Sequence, residues 1–409
     1  LTSRFITLKF QKYFTMKNLL LLTFSLLTVW VNAQNPKTVS IFKDALINFS
    51  DKSTAPADVI RLQSGRLLIK KVHVPQYKKG TDVSIEITLR SNGDPWDKSG
   101  SCFVFKNEDI INVIQVGQGT KKLPSESGIN NDYHGIKATP TYDLPIEVLR
   151  FMTPFGVGYF SDEEKNPRIK RSRPVYIPKW EDKVVWKEDV SQLESLLTGT
   201  FYIGVWIDTW TDKGYLVDVS LTYSGRERPK KVVTPLVNTL YYVNGQKIPD
   251  LFSKTSLSHE ITLNKGLKNA ELYYITTGHG GHSGGDEFIK INNTVLFNGK
   301  KVMDFIPWRD DCASFRRFNP SSGVWTKQDT ASVYNENFQR VEKVIEERLA
   351  SSDLSRSNWC PGSLVSPEKA SLGNLLKGKH TLEIKIPATT NVGEQQNHWL
   401  VSSYIVSDK

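Results

Sequence analysis

Carboxylates, tryptophans and arginines recur together at a few turns of this 409-residue chain. Asp94-Pro95-Trp96-Asp97 falls between two strand-like runs. A carboxylate beside a tryptophan in a tight turn can act as a general base, its pKa raised by partial desolvation. Taken alone, the same tetrapeptide is an ordinary turn, because aspartate is a common turn former. Asp208-Thr209-Trp210 adds a second carboxylate and aromatic platform at a strand tip. Strand tips often carry sites, although a solvated hairpin end explains this one equally well. Gly278 to Glu287 places His279, His282, Asp286 and Glu287 among five glycines. Two histidines three apart beside carboxylates have the composition of a metal site. A pliable glycine loop does not fix ligand spacing as a helix does, so metal ligation is the lesser expectation there. Glu287 is expected to open a strand and to seat its side chain at a domain edge.

Two later loops match one another. Pro307-Trp308-Arg309-Asp310-Asp311-Cys312 and Ser355-Arg356-Ser357-Asn358-Trp359-Cys360-Pro361-Gly362 each hold a cysteine, a tryptophan and an arginine. Arg309 and Arg356 are fixed positive forks suited to a developing oxyanion or to sugar hydroxyls. Trp308 and Trp359 suit stacking on sugar faces or plugging an interface. Joining Cys312 to Cys360 would tether the loops and stabilise the fold by roughly 4 kcal/mol in the chain-entropy model. The alternative is a pair of buried, reduced thiols. Of the three cysteines, Cys102 is left unpaired in a strand-like context.

A disulfide needs an oxidising compartment, and the N-terminal segment points to one. Met16-Lys17-Asn18 is a short basic start, Leu19 to Val31 an apolar run, and Val31-Asn32-Ala33 a small-residue cleavage site. The run is shorter than the ~20 residues of a membrane span. Residues 1–33 are therefore expected to be upstream read-through (1–15) plus a signal peptide (Met16–Ala33). The mature protein would begin at Gln34, lack a membrane span, and be secreted or periplasmic. The formal charge of +10 raises a nucleic-acid partner. The basic residues are scattered, the densest run (Lys165 to Arg173) lies in a proline-containing loop, and no nucleic-acid module is present, so none is expected.

The elements that must position these residues are short strands. Leu67–Ile69, Val83–Leu89, Cys102–Phe105, Phe201–Ile207 and Leu216–Tyr223 alternate and are rich in β-branched and aromatic residues, the last two reading as an antiparallel pair. The polar joint 226–234 divides this half (34–225) from a second (235–409). There Glu271–Thr276, Phe288–Ile291, His380–Ile386 and Trp399–Val406 read as strands. Tyr334, Phe338, Val341, Ile345 and Leu349 recur at helical spacing, which predicts a surface helix inserted between the cysteine loops. The fold class is all-β, with many short strands and Gly/Pro turns indicating a sandwich or jelly roll.

The order of these pieces resembles the peptide-N-glycosidase F family. The first half carries Trp96-Asp97, Arg150-Phe151-Met152-Thr153-Pro154-Phe155, Gly156-Val157-Gly158 and Asp208-Thr209-Trp210. The second carries Thr277-Gly278-His279-Gly280, Asp286-Glu287-Phe288, Ile291-Asn292, the two cysteine loops, Asn319-Pro320 and Trp399 to Tyr404. The resemblance runs from about residue 60 to the C-terminus. It implies two eight-stranded jelly rolls side by side with a cleft between them, and no metal or cofactor. The implied reaction is hydrolysis of the amide between asparagine and the innermost N-acetylglucosamine of an N-glycan, leaving aspartate and a glycosylamine. The implied partner is an N-linked glycoprotein or glycopeptide, acted on by a monomer. The implied catalytic residues are Asp97, Asp208, Glu287 and Arg356; the implied substrate contacts are Trp96, Trp210, Arg309, Asp310, Trp359 and His279. Asp208 stands where the prototype has glutamate and Lys98 where it has arginine. The loop before Glu287 lacks the prototype's flanking cysteines, and the insertion between Gly323 and Ser355 departs from it. Two other readings compete: a metal-dependent hydrolase or monooxygenase using His279, His282 and Glu287, and a non-catalytic glycan-binding protein.

Overall fold

The computed structural model describes residues 36–77, 79–124, 134–246, 250–280 and 285–409, with side chains at 170–171, 326–327 and 346–348 left out. The expected signal peptide and His282 lie outside the described residues. Nine strands form the first sandwich: β1 (Lys37–Ile47), β2 (Val59–Leu62), β3 (Leu67–Val74), β4 (Gly80–Ser91), β5 (Ser99–Phe105), β6 (Ile146–Met152), β7 (Val184–Asp189), β8 (Gly199–Ile207) and β9 (Tyr215–Arg228). The second half contributes β10 (Lys231–Asn238), β11 (Leu257–Leu263), β12 (Leu267–His279), β13 (Asn293–Phe297), β14 (Lys300–Phe305), β15 (Val324–Tyr334), β16 (Arg340–Ala350), β17 (Leu364–Val365), β18 (Glu368–Leu375), β19 (Gly378–Lys385) and β20 (His398–Asp408).

One sheet of the first sandwich runs β1-β9-β4-β7, and the other runs β17-β6-β5-β8-β3-β2. The second sandwich pairs β10-β20-β12-β18 with β11-β19-β13-β14, all antiparallel. Its eight strands match expectation; the first has nine and takes a tenth, β17, from the second half. Alternation explains the layers. Val83, Ile85, Ile87 and Leu89 of β4 and Val217, Val219 and Leu221 of β9 point inward and are buried in one core.

Four expectations change. Residues 201–207 and 216–223 are not a pair: β8 bonds to β3 and β5, while β9 bonds to β1 and β4. The connection Asp208–Gly214 crosses from one sheet to the other, and alternation alone does not distinguish that from a hairpin. Phe288–Ile291 is no strand, because Asp286–Phe288 forms a 3-10 turn. The joint 226–234 is mostly strand; Glu227 and Arg228 pair with Thr81 and Gly80 on one side, and Lys231 to Thr234 pair with Asp408 to Ile405 on the other. Only Pro229-Lys230 lies between, where proline has no N–H for a ladder.

The fourth change is the insertion. It is not a helix but a two-stranded ribbon, β15 against β16. Val341, Ile345 and Leu349 are four apart, and a spacing of four keeps residues on one face of a strand as well as of a helix. The turn supplies the decision: the Asn335 side-chain oxygen accepts from the backbone N–H groups of Asn337 and Gln339, and Phe338 has φ 58°.

The two sandwiches share a wide apolar seam. Leu67, Phe103 and Trp206 of the first pack with Tyr242 and Leu400 of the second. Every residue of β6 is buried, charged ones included, because the second sandwich covers what would be its outer face. Glu147 and Arg150 pair there at 2.7 Å with both side chains 0% exposed. Arg150 then donates to the Leu400 carbonyl at 2.7 Å and to Thr277 Oγ1 at 3.2 Å, fixing the halves to one another. Cys102 is buried, and burial pushes its thiol far up.

Candidate active site

Asp97 and Asp208 meet at one rim of the first sandwich. Asp97 lies two residues before β5, and Asp208 directly follows the antiparallel neighbour β8. The Asp208 backbone N–H donates to the Ser99 carbonyl at 2.9 Å, and the Lys98 N–H donates to Thr153 Oγ1 at 2.8 Å. Facing this rim is the loop of the second half that contains Arg356. Its backbone exchanges hydrogen bonds of 2.9 and 3.0 Å with Arg309, so the two cysteine loops form one bridge. The Cys312–Cys360 disulfide closes it. Glycine at 278 permits the fit: a Cβ there would lie 2.9 Å from both Ser357 Cβ and the Asp286 carbonyl.

Arg356 joins the halves chemically. Its Nε donates to Glu287 Oε1 at 2.8 Å, and its Nη1 donates to the Ser351 and Leu354 carbonyls, each at 3.0 Å. Its Nη2 then stands 3.6 Å from Asp97 Oδ2. The guanidinium also lies 4.9 Å from the Trp359 ring and 5.0 Å from that of Phe288. Two carboxyl groups, one from each half, thus share a single cation with little solvent. Burial raises the pKa of Asp97, opposed by the charges of Arg356 and Lys98. Burial also carries Glu287 up to about 7, with Arg356 opposing and the Asp97 charge assisting. The two carboxyls titrate together, and burial raises both.

Asp208 has partners of its own: Arg66 Nη1 at 3.1 Å and the Tyr241 hydroxyl at 2.9 Å. Burial raises its pKa, and those two contacts oppose the rise. Arg66 lies 4.1 Å from the Trp210 ring, which packs on Phe49. Trp96 and Trp210 are 56% and 54% exposed, two open aromatic faces beside the two aspartates.

Two family models match: the N-terminal part of peptide-N-glycosidase F over residues 38–223, and its C-terminal part over residues 247–406. The solved structure of PNGF-II is 34% identical, covers 94% of this chain and 67% of its own length, and superposes with TM-score 0.78. The chain belongs to the peptide-N-glycosidase F family. The solved PNGase F, a glycosylasparaginase from Flavobacterium meningosepticum, is 18% identical with TM-score 0.58 over 92% of this chain and 96% of its own, a likeness of fold alone. The peptide-N(4)-(N-acetyl-beta-D-glucosaminyl)asparagine amidase F of Elizabethkingia miricola is 23% identical over 285 residues. The match covers 64% of this chain and spans 64% of that curated relative's length.

Within this peptide-N-glycosidase F fold, the expected substrate contacts divide. Trp96 and Trp210 are open, and Asp310 is exposed. Arg309 is engaged by Asp311 at 2.8 and 2.5 Å and donates to the Leu364 carbonyl, so its guanidinium serves the bridge. Trp359 is 4% exposed, and its indole N–H donates to the Gly278 carbonyl; it plugs the seam and is no open platform. His279 is buried against Trp359 and His398, with Nε2 2.8 Å from Thr277 Oγ1. Burial drives its pKa well below the usual histidine range, so the ring is neutral and packed. Among the described residues no group of three or more His, Cys, Asp or Glu side chains could hold a metal ion. Arg66, Tyr241 and the Ser351 and Leu354 carbonyls were not anticipated. Arg66 and Tyr241 reach Asp208 through tertiary packing, so nothing in their sequence neighbourhoods marks them. The two carbonyls come from the local turn that leads into Arg356, and a backbone acceptor carries no residue-type signal.

Proposed function

We propose that this protein hydrolyses the amide joining asparagine to the innermost N-acetylglucosamine of N-glycans. One observation carries the reading: Asp97 of the first half and Glu287 of the second converge on the guanidinium of Arg356. In the step proposed, Asp97 takes a proton from water as its oxygen attacks the side-chain carbonyl carbon. Arg356 stabilises the oxyanion, and Glu287, protonated at the start, gives its proton to the departing nitrogen. The C–N bond breaks to leave aspartate in the peptide and a glycosylamine. Asp208 and the open rings of Trp96 and Trp210 hold the sugar. Export by the signal peptide at Met16–Ala33 and a monomeric state belong to the same reading, and the disulfide accords with export. No described helix is long and apolar enough to cross a membrane.

The test is a denatured N-glycoprotein incubated with the protein in ¹⁸O-water, with and without a chelator. Heavy oxygen incorporated as aspartate at the former glycosylation site, insensitive to chelator, is the expected result. N-acetylglucosamine left on asparagine would mean glycosidic cleavage, and intact bound glycopeptide would mean a lectin; either sinks the amidase reading.

A further inference from the structure

Outside the groups assigned above, the Asp94 carboxylate is 0% exposed and fully engaged. Its Oδ1 accepts the backbone N–H of Trp96 at 3.0 Å, shaping the turn that presents Asp97. Its Oδ2 accepts the hydroxyls of Thr209 at 2.6 Å and Thr211 at 3.1 Å, from the segment that presents Asp208 and Trp210. Its carbonyl is held by Ser91 Oγ at 2.6 Å, and the Tyr215 hydroxyl closes the turn on the Trp96 carbonyl at 2.5 Å. Both sides of the rim are therefore bonded to a single carboxylate. Thr209 is itself 0% exposed, so water does not compete for the joint.

We infer that Asp94 is a positioning residue that locks the Asp97 turn to the Asp208–Thr211 segment and thereby sets the spacing of Asp97, Asp208, Trp96 and Trp210 around the scissile amide. The inference deepens the amidase reading and rests on it. Asp97 is faced by Arg356 from the second half, by Lys98 beside it, by Glu287 across Arg356 and by Tyr215 from β9. The Asp94 charge is a further neighbour that holds the Asp97 carboxyl up. Asparagine at 94 keeps the shape and one acceptor but removes that charge and weakens the joint.

The experiment compares wild type with Asp94→Asn, Thr209→Val and Thr209→Ser on a glycopeptide. Expected for Asp94→Asn is a kcat loss on the order of 10²-fold, since misplacement by about an ångström costs that much, together with a raised KM because Asp208, Trp96 and Trp210 shift with the joint. The acid limb of its pH profile moves to lower pH. Thr209→Val loses kcat with an unmoved limb, and Thr209→Ser restores it. A lowered melting temperature with wild-type kcat and pH profile in the folded variant would overturn the inference. So would equal activity of the valine and serine variants, which serve if Asp94→Asn does not fold. Amide hydrogen exchange at Trp96 and Thr211 reads the joint without turnover. Faster exchange at both in Asp94→Asn supports the lock, and unchanged exchange overturns it, even if wild type proves inactive and the amidase reading fails.

Discussion

At the scale of single residues, one arginine between two acids makes definite demands. Asp97→Asn removes the base while keeping its volume, and general-base help is typically worth 10²–10⁴-fold. A loss of that size in kcat, with unchanged circular dichroism, is expected from steady-state assays; near-full activity would remove Asp97 from the role. Glu287 carries a pH signature. Its pKa rises from 4.5 unfolded to about 7 folded, so between those values the folded state binds more protons. Stability rises wherever the unfolded state binds more protons, and here the opposite holds. The contribution of Glu287 is therefore complete below about pH 4.5 and is lost as pH climbs through about 7. Urea unfolding at several pH values should show Glu287→Gln gaining on wild type as pH rises through that window. A constant difference between the two would mean that Glu287 is an ordinary solvated carboxylate.

At the scale of elements, the ribbon β15–β16 shows what the chain discloses about itself. Strands with strict alternation, such as Val83–Leu89, were legible because a period of two has one interpretation. Tyr334 to Leu349 was not, since the spacing of four that recurs along it fits both periodicities. The turn residues that decide the matter act through side-chain bonds that only the folded turn reveals. Asp97, Asp208 and Arg356 could be picked out because each sits beside a tryptophan or a turn. Arg66 and Tyr241 could not, since their contacts to Asp208 join residues 142 and 33 apart in the chain. The ribbon also yields a prediction. Among the described residues it pairs with no other strand, and a two-stranded ribbon is marginal by itself. Excising Thr326–Arg348 behind a short glycine turn should leave the unfolding midpoint within a few degrees of wild type. Its foot is bonded separately, through the Ser351 N–H to the Gly323 carbonyl and the Ser322 and Ser351 hydroxyls. Arg356 leans on the Ser351 carbonyl. Turnover of a small glycopeptide should therefore survive the excision. Loss of the cooperative unfolding transition would show that the ribbon is part of the core.

At the scale of the whole molecule, the site exists only while the halves are docked, because Asp97 belongs to one and Glu287 and Arg356 to the other. The seam is apolar in area but keyed by charge. Arg150 bonds Glu147 within β6 and then reaches Leu400 and Thr277 across the boundary. The Glu147 carboxylate also accepts from Ser101 at 2.8 Å, so it is satisfied only while this network is whole. A buried pair gains little over well-packed apolar groups, yet breaking one by removing a single partner costs about 3–5 kcal/mol. Arg150→Met should accordingly destabilise by about that much and lower kcat, since it frees Glu147 to draw water into the seam. Arg150→Met with Glu147→Gln should recover most of the loss, because no unpaired charge then remains buried. Denaturant unfolding of the two singles and the double measures the coupling directly. Simple additivity would mean that the halves are held by their apolar contacts alone. A large coupling energy with recovered kcat would tie the buried pair to the register in which Asp97 meets Arg356.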